Sequence, residues 1–340
     1  MAFRFWRRVK IAPGVTVNFS KSGASLSVGP RGAKITFGPR GTRITAGIPG
    51  TGLYHTTLLP QGKKTSASLS SVPSPAASAL TLGFFQRLLT PPAEIAFVEG
   101  CRELILGHEE NALEKLQKAL SLPDGALTAG LVALRLERSK EALPYLERAL
   151  QLKEGLGKTF AKYGIHLQFT LTFPYGITLP VPADPKGLLL ALAQVYEDLG
   201  EVDHALTLLE GLLDTHPEDE LPKLAVTRLL MDRKPGEDTY RRVLQLTASL
   251  KNETAAHTLL LLYRARALKG LKLLEAAKDT LTQALRRKKD RPSELMKALQ
   301  YERALLYEDL GEHPRARKEL EKLYAEDPTF SDVAARLGLS

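Results

Sequence analysis

Acidic residues are missing from the first quarter of this chain: none precedes Glu94, while twelve lysines and arginines do. Cysteine is nearly absent as well, and the single Cys101 excludes an intrachain disulfide framework and a cysteine-built zinc site. No stretch approaches the roughly 18 consecutive apolar residues that a membrane-spanning helix requires. The opening Met-Ala-Phe-Arg-Phe-Trp-Arg-Arg has a pair of arginines but no apolar run behind it, so no secretion signal is readable there. A reduced, cytoplasmic setting is the resulting expectation.

What is present has an ordinary globular composition, 44% hydrophobic and 25% charged, over 340 residues, which suits about two domains. The net charge of +9 arises in front, because the residues after 93 hold 35 basic against 38 acidic side chains. Such asymmetry predicts a basic N-terminal module with an anionic partner: nucleic acid, an acidic membrane surface or the acidic face of another protein. Arg4, Arg7, Arg8, Arg31, Arg40 and Arg43 are the candidate anion contacts.

Glycine turns punctuate this module. Gly29-Pro30-Arg31-Gly32 is followed by Gly38-Pro39-Arg40-Gly41 and then by Gly47-Ile48-Pro49-Gly50. Proline presets φ at the second position of a turn, and glycine tolerates the unusual conformations of the positions after it. Between the turns, residues 33–37 and 42–46 alternate as half-buried strands do, and residues 15–19 and 24–28 repeat the pattern. The expectation is an up-and-down unit of four or five strands over residues 1–59. With Phe3-Arg4-Phe5-Trp6-Arg7-Arg8 and Lys21-Ser22-Gly23, these turns resemble the bacterial domain-of-unknown-function family 4236, over about residues 3–57. That resemblance implies no activity. Residues 60–80, rich in serine and proline, read as a flexible tether.

Further on, two segments share one spacing. Ala193, Tyr196, Gly200, Ala205, Leu209, Leu212 and Pro217 recur as Ala304, Tyr307, Gly311, Ala316, Leu320, Leu323 and Pro328. Weaker units start at Gly100, Gly130, Thr227 and Ala265. Small residues let paired helices approach, and a glycine or its equivalent sits at the turn. By this spacing the chain resembles the tetratricopeptide family over about residues 93–330, a motif of 34 residues built as helix–turn–helix. The resemblance implies stacked helix pairs and a protein or peptide held in the groove that the first helices line. By family position, Gln194, Glu197, Arg266, Lys269, Tyr301 and Glu308 face that groove.

The repeats are expected in two blocks, 81–156 and 185–335, with 157–184 between them. There Ile165, Leu167, Phe169, Leu171 and Phe173 alternate with polar residues, Pro174-Tyr175-Gly176 turns, and Ile177, Leu179 and Val181 alternate again, the pattern of a β-hairpin. The fold class is thus α+β multidomain: a small N-terminal β-meander domain plus an all-α repeat solenoid with an inserted β-hairpin. A lone hairpin is marginal in water, so it must pack on the helices, pair with the N-terminal sheet or pair with a second copy.

Catalytic patterns fail on inspection. Gly157-Lys158-Thr159 resembles the end of a phosphate loop, but Leu152 stands where the first glycine is required. The seven histidines lack zinc-ligand spacing. No metal, cofactor or catalytic residue is expected. The expected function is a non-catalytic protein–protein adaptor. Two alternatives stand beside it: a nucleic-acid-binding protein using the basic module, and an enzyme with a site at the hairpin–helix junction. A homo-oligomer is a further partner reading.

Overall fold

The computed structural model describes residues 89–339 in full and, ahead of them, only the backbone of six strands between residues 6 and 58. The expected tether at 60–80 lies outside the described residues. The strands are β1 (Trp6–Ala12), β2 (Val15–Ser20), β3 (Gly23–Val28), β4 (Ala33–Gly38), β5 (Gly41–Gly47) and β6 (Tyr54–Leu58). Each pairs antiparallel with the next.

Helices dominate the rest. They are α1 (Pro92–Leu106), α2 (Glu109–Gln117), α3 (Pro123–Arg135), α4 (Ser139–Gln151), the short α5 (Lys158–Lys162) and α6 (Pro185–Asp198). Next come α7 (Val202–Thr215), α8 (Glu220–Arg233), α9 (Glu237–Leu246) and α10 (Ala255–Gly270). The series ends with α11 (Leu274–Leu285), α12 (Ser293–Asp309), α13 (His313–Glu326) and α14 (Val333–Leu337). Strands β7 (Gln168–Phe173) and β8 (Ile177–Pro182) form the hairpin between α5 and α6.

By contact the chain divides into two units. The first holds residues 1–172 and 178–205, and the second holds Phe173–Ile177 and residues 206–340. In the first, α1 packs on α2, α2 on α3, α3 on α4, and α6 on both α3 and α4. The inserted residues therefore interrupt the sequence of repeats without separating the helices on either side of them. In the second unit, α8, α10 and α12 stand in sequence, each packed on its own second helix (α9, α11, α13), and α14 caps the end against α13.

The aligned positions explain the pairing. The first small residue of each unit (Gly100, Gly130, Ala193, Thr227, Ala265, Ala304) is buried, as is the second (Ala112, Ala142, Ala205, Thr239, Ala277, Ala316). At Gly130 the approach is close enough that a Cβ would lie 2.4 Å from a Leu146 methyl, and at Gly100 it would lie 2.6 Å from Leu116 Cγ. The turn position takes the left-handed conformation in five units: Gly107, Glu137, Gly200, Lys272 and Gly311 all have positive φ. In each, the next backbone N–H reaches five residues back, as in His108 to Glu103, Arg138 to Ala133, Glu201 to Tyr196, Leu273 to Leu268 and Glu312 to Tyr307. This is the hydrogen bond that closes a helix through a left-handed residue. The exception is Lys234, at φ −134°, whose successor Pro235 favours an extended residue before it. There the Thr239 hydroxyl donates to the Lys234 carbonyl instead.

The segment Gly157-Lys158-Thr159 does form a nest of backbone amides, and its anion is the protein's own. The carboxylate of Asp124, fully buried at the start of α3, accepts from Gly157 N at 2.6 Å and from Phe160 N at 2.8 Å. Thr159 also donates to it, through backbone and hydroxyl. Burial raises the Asp124 pKa, and these hydrogen bonds offset the shift only in part. Nearby, the Phe97 and Phe160 rings meet at 5.6 Å, and Glu94 on α1 accepts from Lys162 Nζ and the Tyr163 hydroxyl.

Replacing Asp124 by alanine leaves several buried donors without an acceptor, each costing about 1–3 kcal/mol. Asp124→Ala is expected to lower the unfolding free energy measured in urea by about 3 kcal/mol, and Asp124→Asn, which keeps one acceptor oxygen, by less. Lys162 and Tyr163 hold the Glu94 pKa below its ordinary value of 4.5. Glu94 therefore adds stability that is present above that value and is lost as pH falls through the lowered one. The difference in Tm between wild type and Glu94→Gln should shrink on acidification and vanish once both states bind the proton.

Candidate functional site

The first helix of each pair presents the side chains that the repeat spacing assigns to a groove. On α6, Gln194 and Glu197 are buried rather than exposed. Gln194 Nε2 donates to Asp198 at 2.7 Å, and Asp198 also accepts from Ser139 Oγ at 2.8 Å, which ties α6 to the start of α4.

The second unit carries the other four residues, and each engages its neighbouring helix. Arg266 on α10 donates to Glu302 on α12 at 2.6 Å. One turn on, Lys269 Nζ lies 2.7 Å from Asp309 of α12. Tyr301 on α12 donates its hydroxyl to Asp332, at the start of α14, and Glu308 accepts from Arg336 of α14 at 2.6 Å. These pairs run as rungs from α10 to α12 and from α12 to α14. Four carboxylates on α6 and α12, Glu197, Asp198, Glu308 and Asp309, take their surroundings from the same stacking. The structure buries the first and pairs the other three, because stacking brings a polar side chain from another helix to each of those three.

Arg266, with its side chain 32% exposed, meets two polar partners. Burial works against its charge, but Glu302 and the Tyr175 phenol outweigh that and hold its pKa above the ordinary arginine value. Tyr175 belongs to the turn between β7 and β8, which packs on α12. Its hydroxyl accepts from Arg266 Nη2 at 2.8 Å, and the guanidinium lies 5.9 Å from the ring centroid. Tyr263, one turn before Arg266 on α10, is buried, which pushes its phenol pKa up.

Sequence reasoning assigned none of Tyr175, Glu302, Asp309, Asp332 and Arg336 to the groove. Spacing within one repeat cannot show which residue of the next repeat lies opposite. For Tyr175 a signal existed: it occupies a tight-turn position where glycine or asparagine is usual.

The candidate anion contacts are less fully described. Arg4, Arg31 and Arg40 lie outside the described residues. Arg7 and Arg8 fall on β1 and Arg43 on β5, with their backbone alone described. Cys101 is buried, and burial raises its thiol pKa well above the usual range. Among the described residues, no three His, Cys, Asp or Glu side chains gather to hold a metal ion, and no helix is long and apolar enough to cross a membrane.

Helix pairs closed by left-handed turns and stacked first helix to first helix define a tetratricopeptide-type fold. Two family models match the chain. Residues 3–56 match a protein family of unknown function, DUF4236, and residues 186–229 match the tetratricopeptide repeat, so the chain joins a DUF4236 N-terminus to tetratricopeptide repeats. A comparison with curated proteins gives no match. Among solved structures, the C-terminal part of a TPR repeat-containing protein from Cytophaga hutchinsonii is similar at TM-score 0.52 and 11% identity, covering 77% of this chain and 93% of that one. YrrB, a TPR protein with an unusual peptide-binding site, is similar at TM-score 0.45 and 12% identity, covering 66% and 98%. A thermophilic TPR protein from Thermus thermophilus gives 0.38 and 18%, covering 64% and 97%.

The side chains of Lys269 and Asp309 are 35% and 41% exposed, and a pair this open contributes about 1 kcal/mol or less. Lys269→Glu should therefore shift Tm only slightly in thermal unfolding, with much of the loss restored by the exchange Lys269→Glu with Asp309→Lys.

Proposed function

We propose that this protein is a non-catalytic adaptor that holds a polypeptide segment along the first-helix face of its repeats. The observation that carries the reading is the set of polar rungs on α10, α12 and α14. Each rung fixes the position of a partly exposed charged or aromatic group: Lys269 by Asp309, Glu308 by Arg336, and Tyr301 by Asp332. Side chains held in place before contact lose less conformational freedom on binding, which favours specific recognition of an extended peptide. Gln194 and Glu197, being buried, position α6 rather than meet a partner. The rungs consist of mutually satisfied ion pairs and hydrogen bonds, an arrangement suited to contact rather than to moving a proton.

The same proposal assigns residues 1–59 to a separate small β-meander domain, with 60–80 as its tether and 185–335 as the main partner-binding block. The antiparallel pairing of successive strands from β1 to β6 supports the meander, and β1 also pairs with β7 of the hairpin, Trp6 opposite Thr170 and Arg7 opposite Phe169.

The test uses the full chain as bait, wild type beside Lys269→Glu combined with Glu308→Lys, with cross-linking and mass spectrometry to identify what is bound. The expected result is a partner cross-linked to α10 and α12 whose recovery from the double variant drops about ten-fold, equivalent to about 1.4 kcal/mol, at nearly unchanged Tm. Equal recovery from both proteins would overturn the groove reading.

A further inference from the structure

The turn Pro174-Tyr175-Gly176 is built against its own local preference. Tyr175 has φ 61° and ψ 31°, and Gly176 has φ 74°. Two successive left-handed residues make the tight turn that glycine and asparagine favour, and a bulky side chain there costs about 1–2 kcal/mol. The tyrosine is nevertheless seated, with its phenol on Arg266 and the guanidinium 5.9 Å from its ring centroid. The flanking Phe173 and Ile177 are each only 2% exposed. The turn thus lies, as a short peptide would, on the helix face that the adaptor reading assigns to a partner.

From this geometry we propose that Arg266, fixed by Glu302, is a tyrosine-recognition subsite of the groove. The free chain fills it with its own Tyr175, and a partner segment presenting a tyrosine on a tight turn takes it over. The guanidinium there offers an N–H to the phenol oxygen, and a phenylalanine has no oxygen to accept it. Glu302 holds the fork in plane and balances its charge, so the subsite selects a neutral phenol over an acidic group. The partner class is therefore a tyrosine-bearing turn peptide. The backbone strain at Tyr175 makes the internal occupant easier to displace than an unstrained external one. This proposal rests on the adaptor reading and names the chemistry of one place in that groove.

The probe is a fluorescein-labelled synthetic peptide with the sequence of residues 165–183, titrated by anisotropy into the full chain. Tyr175→Ala should bind it about ten-fold more tightly than wild type, because the subsite has lost its internal occupant. Adding Arg266→Met should abolish the gain, and a peptide with phenylalanine at the tyrosine position should bind Tyr175→Ala several-fold more weakly. Where Tyr175→Ala is too unstable to titrate, Tyr175→Phe, which removes only the hydroxyl, should show a smaller gain in the same direction. Equal affinity of wild type and the Tyr175 variants, absence of saturable binding to them, or indifference to Arg266→Met would each overturn the subsite. If the peptide fails while Lys269→Glu with Glu308→Lys still releases a partner, the subsite falls and the groove stands. If the peptide binds as expected but that double variant keeps its partner, the reverse holds.

Discussion

Two helices can share an interior only if their backbones come close, and in this chain that closeness depends on what is missing at one position of the first helix. At Gly100 and Gly130 even a methyl group would run into Leu116 and Leu146 of the paired helix. The other units place alanine or threonine there, and every one is buried. Once the pair is drawn together, the chain must reverse within a few residues. A left-handed residue does this while its successor's N–H caps the helix just ended. From these two requirements comes the placement of successive first helices side by side, and hence the face on which partly exposed charges meet.

The inserted segment shows how a repeat array tolerates foreign sequence. In the first unit α6 packs directly on α3 and α4, so the stack closes behind the insertion. The segment is secured to the repeats by polar contacts. Asp124 fills the amide nest at residues 157–160, and Glu94 gathers Lys162 and Tyr163. A phosphate-loop fragment is thereby explained as a structural loop whose anion is a side chain. An empty nest would leave buried amides without acceptors, and Asp124 removes that penalty. The hairpin comes next, with Phe169, Leu171 and Phe173 turned inward along β7.

The residues that the repeat spacing assigns to a groove illustrate what stacking adds to a pattern. Arg266, Lys269, Tyr301 and Glu308 are polar positions on helix faces, and taken one at a time each could as well be a solvated charge. In the second unit they meet Glu302, Asp309, Asp332 and Arg336, so that α10, α12 and α14 are joined by paired groups. Ion pairs of this exposure add little stability. Their effect is to hold side chains in fixed positions, the property on which the proposed adaptor reading rests.

By itself the sequence determined the repeat type, the turn positions and the hairpin, because these depend on local spacing: small residues where helices touch, glycine where φ must be positive, alternation where one strand face is covered. The exception at Lys234 was legible too, in the proline after it. Only the tertiary structure decided that Gln194 and Glu197 are buried and that Asp124 occupies the nest at residues 157–160. It also decided that Tyr175 lies on Arg266, 91 residues away in sequence. Those contacts join residues on different elements, and which of them meet is set by the stacking of whole helices, a property that no spacing within one repeat encodes.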